Sequence, residues 1–290
     1  MNNGLDSFFT SKTAIDPLEW LCLEKGSKEI SMRAIDLVAP IGKGQRGLIV
    51  SPPKAGKTIL LKHLAHTIAI VAPTAKIYCF LLDERPEEVT DFKRDTLATV
   101  VASSNDRPNE EHTRLALDFI QKVTQEAAAG ADVVVLLDSL TRLARAFNRG
   151  AGSGRTLTGG LDSRAMELPR RFFGAARNIE NGGSLTIIAT ILVDTGSRMD
   201  EIIFQEFKGT GNMELVLSRA AAENRLFPAI NIRMSGTRKE EKLLSEKVLA
   251  DTWKLRRVLT AMPDLEATRK LIELLQEHNS NEKLFRSLFS

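Results

Sequence analysis

Short apolar runs alternate with longer mixed stretches through the first two thirds of the chain. Five runs are rich in valine and isoleucine and almost free of charge: "GLIVS" (47–51), "KIYCFLL" (76–82), "TVVAS" (99–103), "DVVVLLD" (132–138) and "SLTIIATIL" (184–192). Runs of this kind are typical of strands that are covered on both faces. The pattern therefore predicts buried strands at these five positions.

The stretches between these runs favour helices. In the clearest of them, residues 110–129, apolar side chains recur on one helical face and Gly130 supplies a stop; the face comprises Ala116, Phe119, Ile120, Val123 and Ala127. Alternating strands and helices predict an α/β fold, with a mostly parallel central sheet flanked by helices and joined by right-handed crossovers.

The last third of the chain has a different pattern. Two runs with short connections, "MELVLS" (213–218) and "AINIR" (229–233), predict antiparallel or mixed strands at the sheet edge. A C-terminal helical region follows, with an apolar face formed by Leu244, Val248, Leu255 and Val258. Residues 1–33 are polar and too few to build a core, so we predict a lead-in segment followed by one domain at 34–290.

Composition narrows the class of protein. The chain has 290 residues, 43% apolar and 27% charged, which indicates a globular protein. No run approaches the ~20 apolar residues of a membrane span, and the N-terminus lacks the order of a signal peptide. We therefore predict a cytoplasmic location with no membrane partner. Cys22 and Cys79 have no metal-like spacing and are expected to be reduced, packed thiols.

The net charge of +3 conceals an uneven distribution of basic residues. Between Arg142 and Arg177 there are eight arginines, no lysine and two acids. One interpretation is a surface for a polyanion, and the other is a set of solvated helix faces. Charge alone does not decide between them.

The tripeptide Gly56-Lys57-Thr58 joins the first strand to the first long helix. In P-loop proteins the phosphate loop connects a buried strand to the N-terminus of the next helix, which is where this tripeptide lies. The usual pattern has a glycine where this chain has Ser51. The backbone N–H groups of such a turn attract anionic oxygens, Lys57 adds a positive charge, and the Thr58 hydroxyl suits Mg²⁺. The alternative is a polar turn between two buried elements.

Carboxylates follow two of the other predicted strands. Asp138 ends the run 132–138, where a nucleotide site needs an acid for Mg²⁺, and Glu84 follows the run 76–82 as the candidate general base. Both acids also suit the caps of the helices that follow, which is the structural alternative.

Further candidates come from two loops and one aromatic residue. Phe227 is suited to packing on an adenine ring, although an aromatic residue near a strand is more often core. The loops at 148–160 and 194–198 are rich in glycine and arginine, and we expect them to contact a polyanion and to respond to the nucleotide state. Mobile surface loops are the alternative.

Several segments together resemble the ATPase core of the transcription termination factor Rho family. They are "PIGKGQRGLIVSPPKAGKT" (40–58), "LLDERPEEVTD" (81–91), "LLDSLTRLARAFN" (136–148), "LTGGLDSRAMELPRRFFGAARNIENGGSLTIIAT" (157–190), "DTGSRMDEIIFQEFKGTGNMEL" (194–215) and "RLFPAINIRMSGTRKEE" (225–241). The resemblance covers about residues 34–290, and a more distant one extends to the catalytic subunits of rotary ATP synthases.

The resemblance implies a RecA-type P-loop fold and a homo-oligomeric, hexameric ring. Such a ring hydrolyses ATP with Mg²⁺ between its subunits, translocates along single-stranded RNA and pulls transcripts from RNA polymerase. It also implies roles for individual residues. The catalytic residues are Lys57, Glu84, Arg225 and Arg238; Thr58 and Asp138 hold Mg²⁺; nucleotide contacts are Pro53, Lys54, Ala55, Gly56, Lys57, Thr58, Ile59, Arg85 and Phe227; RNA contacts are Arg155, Thr156, Gly196, Ser197 and Arg198.

The resemblance is incomplete in three respects. We expect the N-terminal RNA-binding domain that is usual in the family to be absent from residues 1–33. The loops at 149–160 and 194–198 carry arginine where relatives usually have lysine, and the first of these loops is a residue shorter. We expect an RNA-stimulated ATPase and translocase. The alternative is a non-motor subunit that joins or inhibits the rings of a full-length homologue.

Overall fold

The computed structural model describes residue 8 and residues 13–150, 156–157, 160–162 and 164–289. Its strands are β1 (Ala14–Ile15), β2 (Arg46–Ser51), β3 (Lys76–Glu84), β4 (Thr99–Ser104), β5 (Asp132–Asp138), β6 (Thr156–Leu157), β7 (Leu161–Asp162), β8 (Arg177–Ile179), β9 (Ser184–Leu192), β10 (Met213–Val216) and β11 (Gly236–Thr237). Its helices are α1 (Ile30–Val38), α2 (Lys57–Val71), α3 (Pro86–Asp95), α4 (Asn109–Ala128), α5 (Leu140–Gly150), α6 (Glu167–Gly174), α7 (Arg198–Phe207), α8 (Arg219–Glu223), α9 (Glu246–Thr260), α10 (Asp264–Glu277) and α11 (Asn281–Phe289).

Strands from all five apolar runs lie side by side in one sheet. Its order is β11-β10-β2-β9-β5-β3-β4, and every pair from β10 to β4 is parallel. The edge is mixed, because β11 is antiparallel to β10 and a short antiparallel extension, β1-β8, joins β9. The predicted α/β fold with a mostly parallel sheet is confirmed, and so is the helix predicted at 110–129.

The strands are apolar throughout because both faces of the sheet are covered. In β3, Cys79 and Leu81 face a core made with α1, α2, α3 and the C-terminal helices, while Phe80 and Leu82 face a second core made with α4 to α7. Alternate residues of a strand point to opposite faces, so a strand between two layers is apolar at every position. Cys79 and Cys22 are free thiols, and burial raises the pKa of each to about 12.

Two predictions for the last third of the chain are wrong. Residues 229–233 do not form a strand, although Ile230 makes one isolated bridge to Leu217; the strand that pairs with β10 is 236–237. The Asn231 side chain explains this, because its Oδ1 accepts the Met234 N–H at 3.0 Å and closes a turn. In addition, Val258 lies on the exposed side of α9. The mixed edge itself is as predicted, since β10 is parallel to β2 and antiparallel to β11.

The described part of the lead-in segment packs on the same core as the rest of the chain. Leu21 and Leu23 are buried there, and the Asp36 carboxylate of α1 accepts the backbone N–H groups of Leu23 and Glu24 at 3.2 and 2.8 Å. Burial raises the pKa of Asp36 to about 7. A domain boundary at residue 34 therefore stays a prediction.

Candidate nucleotide and nucleic-acid site

The loop between β2 and α2 has the geometry of an anion cradle. Gly56 precedes α2 with φ +88°, in the left-handed region, and no side chain caps the helix N-terminus. A Cβ at Gly56 would lie 3.4 Å from the Phe227 ring, so glycine also allows that ring to approach. Ser51, which replaces the usual glycine, is buried and donates its hydroxyl to the Pro52 carbonyl. Backbone N–H groups at the start of α2 therefore remain available to an anion.

Three predicted residues meet at the edge where β2, β3 and β5 end. Lys57 Nζ lies 2.5 Å from each carboxylate oxygen of Asp138 and 3.5 Å from Oε1 of Glu84. The carboxyl ends of parallel strands share one edge of a sheet, which brings residues 57, 84 and 138 together. Asp138 and Glu84 are almost completely buried. Their pairing with one lysine reduces the cost of placing two carboxylates in the interior.

The environment of Glu84 is suited to a proton acceptor. Burial raises the pKa of Glu84, the neighbouring Asp138 charge raises it further, and Lys57 and Arg142 oppose the rise. Arg142 Nη2 lies 3.2 Å from Glu84 Oε1. A raised pKa makes the Glu84 carboxylate a better proton acceptor than an exposed glutamate, which suits the role of a general base. Sequence reasoning missed Arg142, because its only signal was membership of the arginine-rich stretch.

Asp138 is fixed by neighbours on both sides. Thr190 of β9 donates its hydroxyl to Asp138 Oδ1 at 2.8 Å, and Ser139 Oγ accepts the N–H of Arg142 at 3.2 Å near the start of α5. The interpretation of Asp138 as the cap of α5 is therefore wrong, because Ser139 takes that position, and its role as a Mg²⁺ ligand stays a prediction. Oxygen donors on Asp138 and Thr58 suit Mg²⁺, which takes few protein ligands when phosphate supplies others. Groups of three or more His, Cys, Asp or Glu side chains that could together hold a metal ion are not found within the described residues.

A pocket of about 310 Å³ lies beside the phosphate loop. Phe227 forms one wall and Ile59 another, and both side chains are exposed, at 43% and 62%. The interpretation of Phe227 as core is therefore wrong. Ser31 Oγ and His63 Nδ1, 3.2 Å apart, place polar groups on the same pocket. Ser31 comes from α1, and no local sequence signal predicted that it would lie here.

The remaining nucleotide candidates lie around the same loop. Arg225, with φ +57°, shares a second pocket of about 520 Å³ with Pro53 and Lys54. Arg85 is exposed and immediately precedes α3. Ala55 is buried. Arg225 is therefore next to the phosphate loop of its own chain.

Arg238 lies at the end of the sheet where the parallel strands begin, opposite to the end that carries the phosphate loop. Its N–H donates to the Asn212 carbonyl at 2.8 Å, and the Asn212 side chain accepts the N–H of Arg46 at the start of β2. The phosphate loop begins at the other end of β2, about 17–20 Å away for a six-residue strand. An arginine side chain cannot span that distance, so Arg238 does not contact its own phosphate loop.

The loop at 194–198 is connected to the nucleotide site through α5. Arg145 forms an ion pair with the buried Asp200, and Thr195 donates its hydroxyl to the same carboxylate at 2.7 Å. Arg145 stands one helical turn beyond Arg142, which contacts Glu84. Sequence reasoning missed Arg145 and Asp200.

The loop residues themselves are presented to solvent. Gly196 has φ +74°, Ser197 caps α7 by accepting the N–H of Asp200, and the side chain of Arg198 is exposed. Arg155 lies outside the described residues, and Thr156 is described only as part of β6. The glycine-rich stretch is not wholly a loop, because α5 continues to Gly150.

Much of the arginine-rich stretch is engaged with acids. Ion pairs join four of its arginines to carboxylates: Arg142 to Glu84, Arg145 to Asp200, Arg149 to Asp83 and Arg170 to Glu206. The stretch is therefore not one continuous polyanion surface.

Within the described residues, no helix is long and apolar enough to cross a membrane.

The fold and the phosphate loop define a nucleotide-binding domain of the P-loop class with a RecA-type sheet. Comparison with known proteins agrees. The family model described as "ATP synthase alpha/beta family, nucleotide-binding domain" matches residues 31–237. An ATPase from the type III secretion system of pathogenic bacteria superposes with a TM-score of 0.72 at 26% identity, covering 89% of this chain and 82% of that one. The ATPase EscN of enteropathogenic E. coli, at 24% identity and a TM-score of 0.73, shares the fold over 96% of this chain and 71% of its own.

Curated relatives are more similar. Transcription termination factor Rho of Micrococcus luteus is 57% identical over 266 residues, which are 91% of this chain and 38% of the relative. The factor of the same name from Pseudomonas aeruginosa is 52% identical over 284 residues, 97% of this chain and 68% of the relative. The chain belongs to the transcription termination factor Rho family. It spans 38% and 39% of the lengths of the M. luteus and Streptomyces lividans relatives.

Proposed function

We propose that the chain is an ATP-dependent RNA translocase that acts in transcription termination as a hexameric ring. The observation that carries the proposal is the connection of two clusters by α5: Lys57, Glu84 and Asp138 at one end, and the 194–198 loop at the other. Membership of the Rho family supports it. RNA polymerase and its transcript complex are the proposed partners, by analogy with the relatives' name, and the cytoplasm is the proposed location.

Nucleotide binding would exploit the free N–H groups at the start of α2. Lys57 Nζ donates to Asp138 and forms an ion pair with Glu84. The terminal phosphates of a bound nucleotide would therefore compete with the two acids for that lysine. Mg²⁺ would be held by Thr58 and Asp138 and would neutralise developing phosphate charge. The adenine would enter the pocket beside Phe227, with Ile59 on the opposite wall and Ser31 within reach.

Hydrolysis requires an acceptor for the proton of the attacking water. Glu84 is the base in this proposal: the water oxygen bonds to the γ-phosphorus, the bond to the β–γ bridging oxygen breaks, and Glu84 receives the proton. Lys57 stabilises the charge that develops on the phosphate oxygens. Arg238 cannot reach its own loop, so it would complete the site of the neighbouring subunit as an arginine finger, with Arg225 as a further cation near the interface.

RNA contact would be made by exposed cations inside the ring. Arg198 and the loop residues Gly196 and Ser197 would bind the strand backbone, and Arg155 and Thr156 would supply the second loop. Asp200 of α7 forms an ion pair with Arg145 of α5. A shift of α5 during hydrolysis would therefore move the 194–198 loop.

The test is the steady-state rate of ATP hydrolysis with and without polycytidylate. We expect RNA to raise turnover and Arg198→Ala to weaken that effect, whereas Arg269→Ala, an exposed arginine of α10, should leave it unchanged. Affinity for RNA should fall with salt, with a log–log slope of roughly 0.7 per phosphate neutralised. Turnover indifferent to RNA at every salt, in protein shown to be hexameric, would favour the non-motor subunit.

A further inference from the structure

A cavity of about 820 Å³ lies between the lead-in segment, α1, α9 and α11. Large apolar side chains form much of its lining: Trp20, Leu37, Val248, Phe285 and Phe289. Its lining residues differ from those of the two pockets around the phosphate loop. The volume is within the range of cavities that hold small organic molecules. We call it the C-terminal cavity, because α9 and α11 supply most of its lining.

The hydroxyl of Thr252 lacks a hydrogen-bond partner in the ligand-free protein. Thr252 is completely buried in α9 and lines the cavity, yet its Oγ1 makes no hydrogen bond to any described residue. Other helical threonines donate to the carbonyl four residues back, as Thr124, Thr260 and Thr268 do at 2.8, 2.8 and 2.9 Å. An unmade hydrogen bond in the interior is costly. A molecule in the cavity that bonds to this hydroxyl would remove that cost.

The acidic side chains of the C-terminal cavity already have partners. Each accepts a hydrogen bond from another part of the chain: Asp36 from the N–H groups of Leu23 and Glu24, Glu24 from the N–H of Asn281, Asp251 from Lys254, and Glu282 from Arg286. Their negative charges are therefore compensated within the protein, and they do not require a cationic ligand.

Two cations of the cavity, by contrast, have no acidic partner. Lys25 lines it from the lead-in segment and Lys247 from the first turn of α9, and both side chains are exposed. Neither forms an ion pair with a described residue. Uncompensated amines at the border of an apolar cavity favour a ligand with a negative charge.

We propose that the C-terminal cavity binds a small organic carboxylate with an aromatic body. The ring of the ligand would pack against Trp20 and Phe285, because flat aromatic rings pack well on one another. The Thr252 hydroxyl would form a hydrogen bond with the ligand. The carboxylate would face Lys25 and Lys247, where charge-assisted hydrogen bonds are available.

Isothermal titration calorimetry with 4-phenylbutyrate tests the proposal. This acid combines a phenyl ring, a short aliphatic chain and one carboxylate. We expect saturable binding of one molecule per chain with a Kd of about 1 mM or tighter, as is usual for a ligand of this size. The amide, 4-phenylbutanamide, has the same shape without the charge. It should bind at least about threefold more weakly, because it forms no ion pair with the two lysines.

Fluorescence tests whether the ligand lies in this cavity. Trp20 and Trp253 are the two tryptophans of the chain, so Trp253→Phe leaves Trp20 as the single reporter. Because Trp20 lines the cavity, its emission should change as 4-phenylbutyrate is added. The change should saturate with the Kd that calorimetry gives.

Substitutions test the polar contacts. Thr252→Val keeps the shape of the side chain and removes the hydroxyl. It should weaken binding about threefold, yet leave the midpoint of urea denaturation unchanged or higher, because the hydroxyl has no partner without the ligand. Lys247→Met should weaken binding at least about twofold. The matched control is Lys283→Met, an exposed lysine of α11 outside the lining of the cavity, which should bind like the parent.

Several results would overturn the proposal. One is the absence of saturable binding up to about 10 mM ligand, and another is equal affinity for the acid and the amide. Unchanged affinity in Thr252→Val and in Lys247→Met would place the ligand elsewhere on the protein. A clearly lower urea midpoint in Thr252→Val would contradict the unpartnered hydroxyl. These experiments measure neither ATP hydrolysis nor assembly, so their failure leaves the proposed function unaffected.

Discussion

Lys57→Met should destabilise the ligand-free protein as well as abolish hydrolysis. Lys57 Nζ contacts both oxygens of Asp138 and lies 3.5 Å from Glu84, and both carboxylates are at most 2% exposed. Methionine has a similar length but no charge. Its introduction leaves two buried acids without their shared cation.

The size of the effect follows from the partners that remain. Asp138 keeps one donor, the Thr190 hydroxyl at 2.8 Å, and Glu84 keeps Arg142 at 3.2 Å. Removing one member of a buried ion pair typically costs 3–5 kcal/mol, and because Lys57 retains some exposure we expect about 3 kcal/mol at pH 8. In addition, the transition state of ATP hydrolysis should lose ~3 kcal/mol or more of stabilisation, which lowers the rate of hydrolysis.

The loss of stability should depend on pH in a defined direction. The pKa of Glu84 is already raised in the folded parent, and Lys57 is one of the groups that lowers it, so its removal raises that pKa further. An acid whose folded pKa exceeds its unfolded value destabilises the protein increasingly as pH rises between the two. The deficit of Lys57→Met should therefore be largest at pH 8 and smaller at pH 5.

Equilibrium denaturation by urea, followed by circular dichroism, measures the difference. Lys54→Met, an exposed lysine of the same loop, is the control and should be close to neutral. Combining Lys57→Met with Asp138→Asn should recover part of the lost stability, because the uncompensated charge is removed. A deficit below about 1 kcal/mol at pH 8, or one that is equal at both pH values, would refute this account of the acid pair.

Three further predictions follow from the same site. Arg142→Gln should move the acid limb of the kcat profile to higher pH, because Arg142 lowers the pKa of the proposed base Glu84; an unmoved limb contradicts that assignment. Gly56→Ala and Gly130→Ala should each cost about 1–2 kcal/mol in urea denaturation, since both glycines have positive φ, but only Gly56→Ala should weaken nucleotide binding measured by calorimetry. Mixing Arg238→Ala with Glu84→Ala subunits should partly restore ATP hydrolysis, because some interfaces then carry neither defect; co-assembled mixtures that stay inactive count against a finger in trans.

The sequence alone was enough to predict the central sheet and the phosphate-loop side of the candidate nucleotide site. Uninterrupted apolar runs specify strands covered on both faces, and a Gly-Lys-Thr turn after the first of them predicts a helix whose N-terminus is open to phosphate. Asp138 and Glu84 could be assigned to the same edge because both end parallel strands. Topology alone then carries them to Lys57.

Other features depended on contacts that no local pattern encodes. Thr190 reaches Asp138 across 52 residues of sequence, and Arg145 reaches Asp200 across 55. The run "AINIR" has an apolar pattern because its aliphatic side chains fill the core, yet Asn231 closes a turn there and the edge strand forms later.

The tertiary structure likewise determined at which end of the strands each loop residue lies. Arg225 and Arg238 are close in sequence, but a turn and a short antiparallel strand place them at opposite edges of the sheet. The family resemblance implied catalytic roles for both arginines, but no sequence pattern indicated where either lies in the fold. Periodicity depends on which residues are buried, whereas the partner of a polar side chain depends on how distant strands and helices are brought together, and only the folded chain fixes that.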